Sequence, residues 1–382
     1  MDKKLKMATV TAAIAIVVVL ACTMMSDIGN EHRSSITALV DGFDSYGDLT
    51  LTVTEEELQS IGVTYGDDIR LESETDSFLA MYTISHNGAP SYSAFISFDG
   101  DKACLGFFNL DARNCTDLNE GDVVTLSREG RNPYYDKIPN YLKGYTDDPE
   151  DYDSPIVFSN FREVRGGDLI PDYIYRSASP WNAGNRSPLA DDYLKDCGVE
   201  FMICLNLNED EVAKQVEENP DAYASGLFKE GKVLSHRLHS AIHLYPHDCE
   251  FVIESLLKAE GKIGIFCTQG KDRTGLHCAV LEGLAGATYD EILDDFMESI
   301  CNYYHIEKGS EEYDIVSKMY PERVFYLFAH PELIPHPEKI DWNSVVFEEF
   351  NPEEVFTKYL VDYVGMDADK VQKAKGKLTG RI

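Results

Sequence analysis

Short alternations of apolar and polar residues fill the first third of the chain, and longer stripes of helical period take over after it. Between about Ser35 and Glu129 the runs are brief: Leu49-Thr50-Leu51-Thr52-Val53, Asp68-Ile69-Arg70-Leu71, Phe95-Ile96-Ser97-Phe98 and Val123-Val124-Thr125-Leu126. Tyr65-Gly66-Asp67 and Asp99-Gly100-Asp101 punctuate them, so the region reads as strands joined by tight turns. Gly66-Asp67-Asp68-Ile69-Arg70-Leu71 is echoed by Gly121-Asp122-Val123-Val124-Thr125-Leu126. A Gly-Asp turn entering a strand twice predicts a small, mostly-β, barrel-like domain with pseudo-symmetric halves over residues 35–130. We read it as a binding or positioning module. Residues 131–155 interleave Tyr134, Tyr135, Tyr141, Tyr145 and Tyr152 with acids, and form a linker packed across two domains or a substrate-recognition strap. Within it, Asp147-Asp148-Pro149-Glu150-Asp151 reads as a solvated acidic loop.

From residue 156 to 382 the period changes. Phe201-Met202-Ile203-Cys204-Leu205 and Ile263-Gly264-Ile265-Phe266 are unbroken apolar runs, the signature of central strands buried on both faces. Helices over 190–196, 251–258, 274–284 and 289–299 would flank them. The implied fold class is α/β, a central sheet between helices with its ligand loop at the carboxyl edge of the strands.

Composition narrows the function. A chain of 382 residues with 43% apolar positions supports two domains. Its formal charge of −33 repels nucleic acid, and any phosphate ligand needs a local positive pocket. Lys3, Lys4 and Lys6 precede an uncharged stretch from Met7 to Ser26, so residues 1–26 read as a signal peptide or membrane anchor. Ala21 before Cys22 resembles a bacterial lipoprotein cleavage box and makes Cys22 a lipidation candidate. Each variant exports the body and ties or delivers it to the cell envelope. The nine cysteines are too scattered for a disulfide framework. Cys104 and Cys115 are close enough to staple one segment, whereas Cys197, Cys204, Cys249, Cys278 and Cys301 read as buried thiols.

One loop carries chemistry: Phe266-Cys267-Thr268-Gln269-Gly270-Lys271-Asp272-Arg273-Thr274-Gly275. Between an apolar strand and a helical stripe, successive loop N–H groups and the helix N-terminus can converge on a tetrahedral oxyanion. Cys267 at the base would react as a thiolate, the charge those donors favour. Arg273 supplies a planar fork for two phosphate oxygens. Thr268, Gln269, Gly270, Lys271, Thr274 and Gly275 complete the substrate-binding shell, with Thr274 placed to donate to the sulfur as it leaves in the second step. Lys271 is either a solvent-facing residue or a second cation for a substrate with several phosphates.

Cys267-Thr268-Gln269-Gly270-Lys271-Asp272-Arg273-Thr274-Gly275 resembles the active-site loop of the cysteine-based protein tyrosine phosphatase superfamily. It is most similar to the bacterial branch reading Cys-x-x-Gly-Lys-Asp-Arg-Thr-Gly, with tyrosine and phosphoinositide phosphatase members. Ile174-Tyr175-Arg176-Ser177-Ala178 is similar to that branch's entry motif. Thr288 to Phe296 resembles one of its helices, with Asp295-Phe296 where Asp-Tyr is usual, and Tyr359 to Leu378 resembles its closing helices. The chain departs from the pattern at Phe266, where His is usual, and at Asn206-Leu207-Asn208, where Asp-Leu-Arg is usual. Gly42 to Leu71 faintly resembles the barrel domain of S-adenosylmethionine hydroxide adenosyltransferases, a likeness that implies shape and no chemistry.

The resemblance implies a phosphomonoesterase acting on a phosphorylated protein or small phosphate ester through a phosphocysteine, with Asp272 as general acid. Asp210 and Asp248 are the other acids considered, the first read as part of a solvated loop and the second as a helix N-cap. No cofactor or metal is expected, since His236, His239 and His243 sit in no ligand motif. A phosphate-binding receptor and a thiol-redox or sulfur-transfer protein remain as alternatives.

Overall fold

The computed structural model describes residues 34–44, 47–84, 89–238 and 246–381. The N-terminal leader with Cys22, and His239 and His243, lie outside the described residues. Among those residues, no helix is long and apolar enough to cross a membrane.

Seven strands close the first barrel: β1 (Ser35–Phe43), β2 (Leu49–Leu51), β3 (Asp67–Glu72), β4 (Ser77–Tyr82), β5 (Ala94–Asp99), β6 (Lys102–Phe107) and β7 (Val123–Arg131). They are ordered β1-β2-β6-β5-β4-β3-β7, antiparallel except where β4 runs parallel to β5. Val40, Leu51, Leu71, Leu105 and Leu126 alternate inward and fill its core, as period-two burial requires. The two echoed Gly-Asp turns enter β3 and β7, which pair antiparallel with Leu71 opposite Leu126. Their hydrogen bonds match atom for atom. Gly66 N donates to Tyr82 O at 2.7 Å and Gly121 N to Val40 O at 2.8 Å. Asp67 Oδ2 accepts from Thr64 N at 2.9 Å, and Asp122 Oδ2 from Asn119 N at 2.7 Å.

The expected staple in this region is absent: Cys104 and Cys115 are free thiols. Ala103 and Leu105, its neighbours on β6, point into the core, so Cys104 faces the other side of the wall, while Cys115 packs against the core from a short helix.

The second body is built on a five-stranded sheet, β8 (Arg162–Glu163), β9 (Ile174–Ser177), β10 (Phe201–Cys204), β11 (Val233–Ser235) and β12 (Ile263–Phe266). Its order is β11-β10-β12-β9-β8, parallel apart from the edge pair β8–β9. Helices Ser187–Asp196, Pro246–Lys258, Asp272–Leu284 and Tyr289–Tyr304 lie around it. β12 is thus inserted between strands that precede it in sequence, which leaves a crevice beyond its carboxyl end.

The linker is ordered and contributes Ile138, Tyr141 and Leu142 to the second core. Its acidic loop is more than solvated, because Asp147 ion-pairs with the buried Arg186. The barrel grips the second body through the segment between β4 and β5. Ser91 N donates to Met319 O at 2.9 Å, and Arg323 Nη1 donates to Ser91 O at 2.7 Å and Ser93 Oγ at 3.0 Å. Tyr92 packs on Trp342 with ring centres 5.6 Å apart.

Candidate active site

All four residues of β12 are buried, and the chain leaves the strand at Cys267, itself only 3% exposed. The loop turns at Gly270, whose φ of +67° suits glycine. A side chain is also excluded there by space, since an added Cβ would lie 2.1 Å from Ser177 O. The helix Asp272–Leu284 follows directly, and every residue from Thr274 to Leu284 is buried. Such all-round burial anchors the helix N-terminus rigidly under the loop.

Around this turn the backbone carbonyls face outward. Thr268 O accepts from Ser179 N at 3.1 Å, and Gln269 O accepts from Tyr303 Oη at 2.8 Å. Gly270 O accepts from Arg176 Nη2 at 2.8 Å, and Lys271 O from Gly275 N at 2.8 Å. Arg176 is fully buried and also ion-pairs with Asp295, which Arg162 Nε holds at 2.8 Å from the other side. Burial raises the Asp295 carboxyl, but the two guanidinium groups outweigh it and hold it below the usual carboxylate range.

The loop side chains divide. Lys271 is buried rather than solvent-facing: its ammonium lies 3.1 Å from Tyr304 Oη and 3.3 Å from Asp272 Oδ1. Burial opposes that charge, yet the neighbouring Asp272 prevails and its pKa stands well above the ordinary lysine value. Arg273 Nη1 contacts Leu238 O at 3.4 Å. Thr274 Oγ1 is buried with no hydrogen-bond partner. Gln269 and Asp272 are half-buried at the mouth.

The departures from the superfamily pattern have definite places. Phe266 is fully buried and meets Trp181 edge-on, ring centres 5.6 Å apart. Asn206 donates to Thr268 Oγ1 at 3.0 Å and so holds the loop, and Asn208 caps the helix Glu209–Glu218. Asp210 consequently lies in the first turn of a helix rather than in a solvated loop. Asp248 is buried inside the first turn of Pro246–Lys258, since Pro246 already starts that helix. His236 is exposed beside Phe251. No group of three or more His, Cys, Asp or Glu able to hold a metal is found among the described residues.

The sequence model of the tyrosine phosphatase family matches residues 158–380, well over half of the chain. The chain belongs to the tyrosine phosphatase family. The match spans the sheet, the loop and the closing helices of this tyrosine phosphatase family member and leaves the barrel outside. No curated protein matches significantly. Among solved structures, the phosphatase is 15% identical to an uncharacterized conserved protein from Thermotoga maritima, with a TM-score of 0.25. That alignment covers 26% of this chain and 38% of the other, too little for any comparison of architecture or activity.

Asn160, Ser299, Tyr303 and Tyr304, which surround the phosphatase loop, are absent from the motif. One signal was available. Asp295, Ser299 and Tyr303 recur at intervals of four, a polar stripe along one face of the helix Tyr289–Tyr304.

Proposed function

We propose that this chain is an exported cysteine-dependent phosphatase that hydrolyses phosphate monoesters, phosphotyrosine foremost, through a phosphocysteine intermediate. The observation that carries the reading is the placing of Cys267 at the base of a loop whose carbonyls turn away from it. Such a cradle presents N–H groups to an oxyanion bound above the sulfur.

In the first step Cys267 Sγ attacks phosphorus in line as the bond to the leaving oxygen breaks. Arg273 and the loop amides hold the equatorial oxygens, and Asp272 gives its proton to the departing oxygen. Water then cleaves the sulfur–phosphorus bond, with the Asp272 carboxylate accepting its proton. The buried ammonium of Lys271 lies 3.3 Å from Asp272 Oδ1 and adds positive charge beside that carboxyl group. Phosphoinositides and inositol phosphates share the required chemistry, but the charge of −33 disfavours the most heavily phosphorylated of them. The reading of residues 1–26 as a leader or anchor supports export to the cell envelope.

The test is hydrolysis of a phosphotyrosine peptide beside an inositol phosphate, with EDTA present and Cys267→Ser as control. Turnover lost in the variant is the expected result. Binding of vanadate without turnover of either ester would instead indicate a phosphate-binding receptor. Activity that survives Cys267→Ser would discard the mechanism.

A further inference from the structure

Asn160 follows the short helix Pro155–Phe158, is fully buried, and adopts a left-handed conformation with φ of +51°. Asparagine is among the few residues other than glycine that tolerate it. Its Nδ2 lies 3.1 Å from Gln269 O, 3.1 Å from Gly270 O and 3.2 Å from Ser299 Oγ. Its Oδ1 accepts from Arg162 Nη1 at 2.9 Å and from Asn302 Nδ2 at 3.4 Å. A guanidinium can only donate, so Arg162 fixes which end of the amide faces the loop.

In a trans peptide the carbonyl and the following N–H point in opposite directions. A donor that draws the Gln269 and Gly270 carbonyls outward therefore turns the Gly270 and Lys271 N–H groups inward. One buried side chain, over a hundred residues from the loop in sequence, thus orients two of its central peptide units.

We propose that Asn160 is a positioning residue that sets the anion cradle before any phosphate arrives, an inference that rests on the phosphatase reading above. Ser179 and Tyr303 each hold one carbonyl of the same row, and Arg176 Nη2 spans Gly270 O at 2.8 Å and Lys271 O at 3.4 Å, while Asn160 bridges Gln269 O and Gly270 O with one amide. Because the cradle is pre-formed, anion affinity and the chemical step depend on Asn160 together.

The test uses the full chain carrying Asn160→Gly, which keeps the left-handed backbone and removes the amide, and Asn160→Asp, which keeps the shape and removes the donors. Orthovanadate affinity, turnover of p-nitrophenyl phosphate, and hydrogen exchange of peptides spanning Cys267 to Gly275 are read in each. The expected result is a fall in kcat of about 10²-fold, as small misplacements of catalytic geometry produce. Vanadate affinity should fall in parallel, KM should change less, and loop exchange should quicken in the unliganded protein. Should both variants fail to fold, Tyr303→Phe removes another donor to Gln269 O and is expected to shift the same readouts by a smaller factor.

Unchanged vanadate affinity and unchanged loop exchange in a folded variant would overturn the inference. If the unmodified protein neither binds vanadate nor turns over phosphate esters while loop exchange still rises in the variants, the clamp stands and the phosphatase reading falls.

Discussion

Asn206 Nδ2 lies 3.0 Å from Thr268 Oγ1 and 3.2 Å from Asn182 Oδ1, so a neutral amide on the turn after β10 steadies the residue next to Cys267. The superfamily pattern has an acid at this place. The substitution keeps a tether to the loop but supplies no proton for catalysis. Asn206→Ala should cost about one net hydrogen bond, 0.5–1.5 kcal/mol, or up to about tenfold in kcat/KM. Steady-state kinetics on an aryl phosphate check it, and a loss beyond a hundredfold would mean that Asn206 does more than hold Thr268.

Asp272→Asn separates substrates by leaving group. If Asp272 protonates the departing oxygen, esters of poor leaving groups should slow by about 10²–10⁴-fold, and those of good leaving groups by much less. A series of substituted phenyl phosphates measures the slope. Equal slowing across the series would move the acid away from Asp272.

Gly270→Ala should abolish turnover. The added Cβ would meet Ser177 O at 2.1 Å, and the backbone sits at φ of +67°. Backbone strain alone is of order 1–3 kcal/mol, and the clash with β9 adds to it. Thermal melting and vanadate titration of the variant report the two losses separately; wild-type vanadate affinity would contradict this.

Two buried groups should make stability depend on pH in opposite directions. Burial lowers His277 to about 3. From about pH 6.5 downward the unfolded chain takes up a proton that the folded chain refuses, and stability declines by up to about 1.4 kcal/mol per pH unit. Burial, then the Asp295 charge, pushes the Glu282 carboxyl well above its ordinary value. Above about pH 4.5 the unfolded chain releases that proton while the folded chain keeps it, so stability drains as pH rises. Glu282→Gln should therefore raise the melting temperature at pH 8 more than at pH 5. The opposite ordering in a melting series would show Glu282 to be ionised in the fold.

Labelling with a palmitate analogue in a bacterial host tests the leader. Incorporation that disappears in Cys22→Ala marks a lipoprotein. Membrane association without label marks an uncleaved anchor, and release into the medium marks a soluble secreted form.

Local pattern disclosed the barrel class, the two central strands and the loop, because each depends on short-range order. The Gly-Asp echo located β3 and β7, and Ile263–Phe266 and its following helix fell where the apolar run placed them. β1, β4 and β6 were not read, since Ser35–Phe43, Ser77–Tyr82 and Lys102–Phe107 do not alternate apolar and polar residues along their length. The fate of Lys271 was not legible either: only the packing of Tyr304 and Tyr141 against the loop shows that its ammonium is enclosed. Asn160 was hidden for the same reason. Its partners are set by tertiary closure, and nothing in its neighbours signals a loop 110 positions away.

The T-shaped contact of Phe266 with Trp181 sets two aromatic rings in one hydrophobic core beside β12, while Cys267 belongs to the other. A phenyl ring neither binds nor releases a proton, so this position cannot titrate as the histidine of the superfamily pattern can. The dependence of the rate on pH therefore carries no contribution from residue 266.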